Sequence, residues 1–487
     1  MKVLLLNSPW VNNDTEYGIK SGTRWAAVRK KDRTMPYFPF PYFMAMAKTY
    51  LIKAGIDAHI KDAVAEELSG EQCLEFVRCM KPEVLLIEVF TPSIYIDLSF
   101  AKQAKELSSC FIVFCGAHAT ALPEDMLKND FVDFVLLGEY SDSLRQLCQQ
   151  LSGPDPEFAA IGGLGYKDKG RIVINSFQNS RSDFDAVVYP QRDELPMEKY
   201  NEPLSKNHSN AKIVTSRGCP YACMFCVEPL LYKKNYQQRS IDNIIAEIKM
   251  LQEMYGIKEI IFDDALFTIS RAKQIAKAIL ENKIDIAWLC WIDWNISFDD
   301  LKLIKESGCI AVKFGIESAD FKKVKLIGKN LEPEKLEQLI KNCKKLKILA
   351  HASFMLGLPG ETRKSLQDTV DFAFSLNLDS CQFTIATPLP GTAFYEMAVK
   401  NKWLITDDWA KFDSLQSCVL KYPGCDPEDV VRAMEQVRQR KIRLFFSNPL
   451  LALRYIWKIF KLKGVKGFGK EVITKGNFVL KSMLRLK

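Results

Sequence analysis

No stretch of this 487-residue chain reaches the ~18 consecutive apolar residues that a bilayer span requires. The opening Met1-Lys2-Val3-Leu4-Leu5-Leu6-Asn7 has too short an apolar run for a signal peptide. Most of the 14 cysteines are scattered singly, which excludes the dense framework of a small secreted disulfide scaffold. These absences lead us to expect a cytoplasmic, reduced protein. With 487 residues, 48% of them hydrophobic, the chain can fill two or three domains with substantial cores.

Three cysteines do stand together, in Ser216-Arg217-Gly218-Cys219-Pro220-Tyr221-Ala222-Cys223-Met224-Phe225-Cys226. They follow a β-branched run, Ile213-Val214-Thr215, that reads as a strand. Thiolates at CxxxCxxC spacing on a loop leaving a strand can face one point, which suits an iron–sulfur cluster. Zinc commonly takes its fourth ligand from a second CxxC or a histidine pair, and neither follows here. The plain alternative is three buried or zinc-binding cysteines.

The spacing, with Phe225 directly before the last cysteine, resembles that of the radical S-adenosylmethionine (radical SAM) superfamily. The resemblance implies a [4Fe-4S] cluster on Cys219, Cys223 and Cys226, whose open iron chelates S-adenosylmethionine. It also implies reductive cleavage of that molecule to a 5′-deoxyadenosyl radical, and an electron donor such as a flavodoxin or ferredoxin.

Residues 1–150 alternate strand and helix signals. The runs Val3–Asn7, Ala58–Asp62, Val84–Phe90, Phe111–Cys115 and Phe134–Leu137 are separated by helical patterns such as Tyr42–Ala54, Gly70–Met80 and Ile94–Leu107. This predicts a doubly wound, Rossmann-like parallel sheet whose ligand sits beyond the strands' carboxyl ends. Small and polar residues stand there: Ser8, Thr91, Ser93, Gly116, His118, Gly138 and Glu139. Their order resembles the cobalamin (B12)-binding domain that precedes many radical SAM domains, and by that resemblance they line a corrinoid site. Two departures are visible. Cys115 replaces the first glycine of the Gly-Gly-x-His-Ala-Thr-like turn. No Asp-x-His-x-x-Gly motif follows Asp62, so no histidine from that motif is expected on cobalt. The alternative is a Rossmann-like domain that binds nothing. The segment Gly18–Pro41, rich in proline and aromatic residues, reads as an irregular loop before the first helix.

Residues 151–210 read as a connector, with a hairpin at Leu164–Asn175 and an irregular strap at Pro190–Pro196. Residues 211–400 then show six strand–helix units. Their strands lie near Ile213–Ser216, Glu259–Asp263, Ala287–Trp291, Ala311–Ile316, Ala350–Leu356 and Gln382–Ala386, with helix starts at Ser240, Ser270 and Ser297. Six such units predict a partial (β/α)6 barrel of TIM type with its chemistry at the strands' carboxyl ends. By resemblance to the family, Phe225, Asp263, Asp264, Glu317 and Gly357 contact S-adenosylmethionine. The arginine that many relatives carry after the position of Trp288 is missing from Cys290–Asn295.

Residues 401–487 read as a helical C-terminal region with a basic tail. From Arg438 to Lys487 the chain carries 14 Lys and Arg against one acid, Glu471, so the net charge of +8 belongs to the tail. Phe445, Phe446, Tyr455 and Trp457 interleave with those charges, a pattern suited to an interfacial helix on anionic lipid. A solvated basic tail is the plain alternative, and nucleic acid ranks below both. Together these features lead us to expect a cobalamin-dependent radical SAM enzyme that methylates an unactivated carbon of a small or lipid-like substrate. A rearrangement or oxidative cyclisation without methyl transfer is the first alternative. A non-catalytic iron–sulfur or RNA-binding protein is the second.

Overall fold

Strand β1 (Lys2–Asn7) is buried along nearly its whole length, as a strand must be when helices cover both faces of its sheet. The computed structural model describes residues 1–10, 16–21, 25–30, 38–177, 185, 189–200, 202–206, 209–233 and 235–447. After β1 come β2 (Glu16–Ser21) and β3 (Trp25–Lys30), which pair with each other as an antiparallel hairpin. The segment read as an irregular loop thus contains regular structure, while Gly22–Arg24 and residues 31–37 lie outside the described residues.

The first sheet continues with β4 (Asp57–Asp62), β5 (Val84–Glu88), β6 (Phe111–Cys115), β7 (Phe134–Leu136), β8 (Leu164–Asp168) and β9 (Arg171–Ile174). Its order is β4-β1-β5-β6-β7-β8-β9. The first five run parallel and the last two antiparallel. The order reverses between β1 and β5, which is where doubly wound sheets open a ligand crevice. Val84 and Leu86 pack into one core with the helix Tyr42–Lys53. Leu85 and Ile87 pack into the opposite one with the helices Gly70–Met80 and Ile94–Ser108. The hairpin expected in the connector is β8–β9, and it extends this sheet at its edge. Tyr166 pairs with Phe134, so the sheet's own register captures it.

The second sheet is built from β10 (Asn210–Ile213), β13 (Glu259–Phe267), β14 (Ala287–Ile292), β15 (Cys309–Glu317), β16 (Leu349–Leu356) and β17 (Ser380–Ile385). A short ribbon of β11 (Ser216–Arg217) and β12 (Gln237–Gln238) lies between the first two in sequence. All six strands run parallel in sequential order, the layout of a partial barrel. Alternate residues Phe262, Cys290, Val312, Phe314, Ala352 and Phe354 pack outward against the helices. The intervening residues face the lumen. Ser240 and Ser297 cap their helices as the sequence suggests, but the helix Ile269–Glu281 is capped by Thr268, not Ser270.

The strap staples the two sheets together. Arg192 lies 4.5 Å from the centre of the Phe40 ring and donates from Nη2 to the Lys212 carbonyl at 2.8 Å. Tyr200 donates to Asp62 at 2.9 Å. The helix Pro427–Ser447 closes the barrel's far edge, where Lys441 donates to the Cys381 carbonyl at 2.7 Å and Arg440 pairs with Asp371 at 2.5 Å. The basic segment that the sequence begins at Arg438 therefore starts inside a packed helix, and residues 448–487 lie outside the described residues. Among the described residues no helix is long and apolar enough to cross a membrane.

Candidate active site

The three-cysteine loop leaves the barrel's first strand on a rigid root. Asp264 on β13 accepts from the Thr215 amide at 3.0 Å, the Thr215 hydroxyl at 3.0 Å and the Ser216 hydroxyl at 2.5 Å. Arg271 donates to the carbonyls of Thr215 at 3.1 Å and Arg239 at 2.5 Å. Gly218 follows with φ +73°, and a Cβ there would lie 2.3 Å from the Asn235 carbonyl oxygen, so only glycine passes. The far side of the loop is tied down by Met224, whose amide donates to the Ile327 carbonyl at 3.1 Å and whose carbonyl accepts from the Phe394 amide at 2.9 Å.

Cys219, Cys223 and Cys226 are all partly buried on this loop. Burial pushes the Cys219 thiol up to about 11 and the Cys226 thiol up to about 12, and the neighbouring thiols and Glu228 act in the same sense. Burial raises Cys223 too, against the pull of Lys329. Three crowded thiols that resist ionisation alone are a donor set that a bound cationic group would stabilise, because ligation deprotonates them. Among the described residues no three His, Cys, Asp or Glu side chains converge as ligands of a single ion. A cubane, which takes one thiolate per iron, does not need that convergence. The loop therefore fits a [4Fe-4S] cluster.

Around this loop the structure gathers residues from distant strand ends. Glu317 ends β15, is buried, and accepts from Lys329. Both side chains fold over Gly315, where a Cβ would strike them at 2.2 and 2.3 Å. The Lys329 ammonium also lies 6.0 Å from the centre of the Phe225 ring. Gly357 directly follows β16, and its carbonyl accepts from Tyr422 at 3.1 Å. Asp263 accepts from Lys212 at 3.0 Å and faces the lumen, whereas Asp264 points to the opposite face, toward the loop's root. In the lumen below, Trp291 and His351 meet edge to face at 6.0 Å, His351 contacts Ser380 at 2.7 Å, and Lys313 pairs with Glu202 of the connector at 2.8 Å. Burial, with Lys313 and Lys441 adding to it, lowers His351 to about 3, so the ring is neutral at ordinary pH. In the turn where the expected arginine is missing, Asp293 accepts from Tyr221 of the cysteine loop at 2.7 Å.

The residues expected to line the second ligand site divide into two groups. Ser8 and Ser93 donate to Asp97 at 2.5 and 2.6 Å, and Lys20 of β2 donates to both Ser8 and Asp97 at 2.7 and 2.8 Å. That network is closed and buried. Thr91 contacts His118 Nδ1 at 3.1 Å, and Trp409 covers the ring edge to face at 5.6 Å. Burial lowers His118 to about 4. The Gly116 carbonyl accepts from Thr120 at 2.8 Å, and the Gly138 amide donates to the same hydroxyl at 3.0 Å. Glu139 leaves the sheet to pair with Arg217. Among the described residues, two buried polar atoms at these strand ends have no hydrogen-bond partner: His118 Nε2 and Glu88 Oε1. Buried polar atoms are normally satisfied. An amide- and phosphate-rich ligand such as a corrinoid fits strand ends that leave such atoms open.

The geometry agrees with what comparison with known proteins finds. The radical SAM superfamily model matches residues 213–373. Over 464 residues the chain is 33% identical to an uncharacterized methyltransferase of Pyrococcus horikoshii, covering 94% of this chain and 95% of that protein. The chain belongs to the radical SAM superfamily. It is 26% identical to the anaerobic magnesium-protoporphyrin IX monomethyl ester cyclase of Cereibacter sphaeroides, over 73% of this chain and 60% of that enzyme. Its fold is shared with the radical S-adenosylmethionine methyltransferase TsrM of Kitasatospora setae, solved with cobalamin and a [4Fe-4S] cluster. That match has a TM-score of 0.66 and 19% identity, and covers 88% of this chain and 83% of that one.

For a radical SAM enzyme, the sequence reading passed over two positions that the structure makes prominent. Lys329 carries no local signal, because it reaches the cysteine loop only through the turn after the helix Phe321–Leu326. Arg217 stands two residues before Cys219, at the edge of the motif, yet Glu139, to which it donates, is 78 residues away.

Proposed function

We propose that this enzyme is a cobalamin-dependent radical SAM methyltransferase acting on an unactivated carbon of a small or lipid-like molecule. The observation that carries the reading is the meeting of a three-thiol loop at the mouth of a six-stranded parallel barrel with the carboxyl end of a doubly wound sheet, joined by Arg217 and Glu139. The methyltransferase from Pyrococcus horikoshii, similar over nearly its whole length, supports the reaction class. When bound, the cluster and S-adenosylmethionine supply a hydrogen-abstracting radical and the corrinoid supplies a methyl group.

The protein's own part is to bind, orient and keep out water. Cys219, Cys223 and Cys226 would hold the cluster. Lys329 and Glu317, with Phe225, Asp263 and Gly357, would seat S-adenosylmethionine, an ammonium and a carboxylate being suited to its own carboxylate and ammonium. Asp264 serves that site by fixing the loop's root. Thr91, Gly116, His118, Gly138 and the open atom of Glu88 would meet the corrinoid, with Ser8 and Ser93 holding the β2–β3 hairpin in place through Asp97. The Asp-x-His-x-x-Gly motif is absent, so a cobalt without a histidine from that motif is expected. Electrons would come from a donor such as a flavodoxin or ferredoxin, and the basic tail would rest on anionic lipid at the cytoplasmic face.

The test is anaerobic reconstitution with iron, sulfide and hydroxocobalamin, followed by dithionite and S-adenosylmethionine. Formation of both 5′-deoxyadenosine and S-adenosylhomocysteine is expected, the latter only with cobalamin present. The cyclase relative favours a second reading, in which 5′-deoxyadenosine forms without S-adenosylhomocysteine. No cleavage of S-adenosylmethionine at all would overturn both.

A further inference from the structure

We propose that Glu139 and Arg217 form a latch that couples occupancy of the corrinoid site to the hold on the cysteine loop. The proposal rests on the cofactor assignments above and concerns two positioning residues. Arg217 Nη1 donates to Glu139 Oε2 at 3.2 Å, with side chains 7% and 13% exposed. Each partner is anchored at one of the two sites. Glu139 follows Gly138, whose amide is tied through the Thr120 hydroxyl to the Gly116 carbonyl, so the two turns at the ends of β6 and β7 move together. A Cβ on Gly138 would lie 2.6 Å from the Phe177 ring and 3.0 Å from the Leu231 carbonyl, which leaves that turn little room to shift independently. Arg217 pairs with Gln237 in the ribbon and precedes Gly218 and Cys219 directly. Tyr50 of the first core and Tyr232 flank its guanidinium.

Breaking a buried pair of this kind is strongly unfavourable, so the two residues move as a unit. A ligand that settles the Gly116 and Gly138 turns therefore settles Glu139, and through it the residue that launches the cysteine loop. By linkage the effect is reciprocal: the cluster must tighten corrinoid binding by the factor with which the corrinoid tightens the cluster.

The experiment measures iron release from the reconstituted full-length protein to a ferrous chelator, with and without bound hydroxocobalamin. In the wild type, hydroxocobalamin should slow release by at least ~5-fold, the lower end of ordinary coupling. In Glu139→Gln the ratio should fall to about 1 while both cofactors still bind. If Glu139→Gln fails to take up either cofactor, Arg217→Lys is read in its place, since it keeps the charge and loses the planar fork. A lowered ratio there supports the latch, and an unchanged one overturns it. A wild-type ratio of 1 with hydroxocobalamin bound, or an unchanged ratio in Glu139→Gln, also overturns the latch and leaves the proposed function standing. A wild type that retains no hydroxocobalamin overturns the corrinoid assignment and the latch with it.

Discussion

Lys329 and Glu317 close an ion pair over the bare backbone of Gly315, directly beside the cysteine loop. Glu317 holds φ +71°, a left-handed conformation uncommon for glutamate, and surrounding structure must enforce it. Substituting Lys329→Met leaves Glu317 buried and unpaired, a loss of about 3–5 kcal/mol where the site cannot rearrange. We expect Lys329→Met to lower 5′-deoxyadenosine formation by at least tenfold and Lys329→Arg to retain part of it. Full activity in Lys329→Met would remove this pair from the site.

Changing Cys219, Cys223 and Cys226 together to Ala should abolish the brown colour and all cleavage of S-adenosylmethionine. Cys115→Ala, in the neighbouring sheet, should leave the iron content at about four per chain, the complement of one cubane. A triple variant that still binds iron in that amount and yields 5′-deoxyadenosine would refute the assignment.

Glu88 makes the stability of the first sheet depend on pH. Burial raises its carboxyl from the ordinary 4.5 to about 8, against the attraction of Lys20. Between those values the folded protein holds a proton that the unfolded chain has released, so stability falls as pH rises through that window. The slope from this group is at most about 1.4 kcal/mol per pH unit. Glu88→Gln removes it. Urea unfolding of the cofactor-free protein at pH 5.5 and 7.5 should show the variant gaining about 2 kcal/mol on the wild type at the higher pH. A constant difference at both values would show that Glu88 is ionised in the folded state.

The basic tail gives a separable prediction. Ten of its fourteen Lys and Arg lie at or beyond Arg454, outside the described residues. Each basic residue near an anionic surface contributes ~1 kcal/mol, screened by salt. The full-length protein should sediment with anionic vesicles at low salt and be released as salt rises. Truncation after Ser447, which spares the Lys441 and Arg440 contacts, should remove that binding and preserve S-adenosylmethionine cleavage. Binding of RNA but not vesicles over the same salt range would decide against the lipid surface.

Features that depend on short-range geometry are legible in the chain alone. Eight residues, Cys219 to Cys226, carry the three thiols, so their spacing needs no tertiary context to be read. Strands such as Phe111–Cys115 and helices such as Gly70–Met80 follow from the period of their apolar residues, and the alternation of the two implies parallel sheets. Tertiary structure alone decided which polar groups meet. Ser8 and Ser93 turn to Asp97 because Lys20 arrives from a hairpin that read as a loop. Of two adjacent aspartates, Asp264 is drawn to the loop's root and Asp263 faces the lumen, because successive residues of a strand point to opposite faces. The β8–β9 hairpin joins the first sheet because β7 would otherwise expose an unpaired edge. Lys329 and Arg217 reach their partners only once strands far apart in sequence lie side by side. Local periodicity encodes which face of an element is apolar, but an ion pair between elements depends on where packing sets them down.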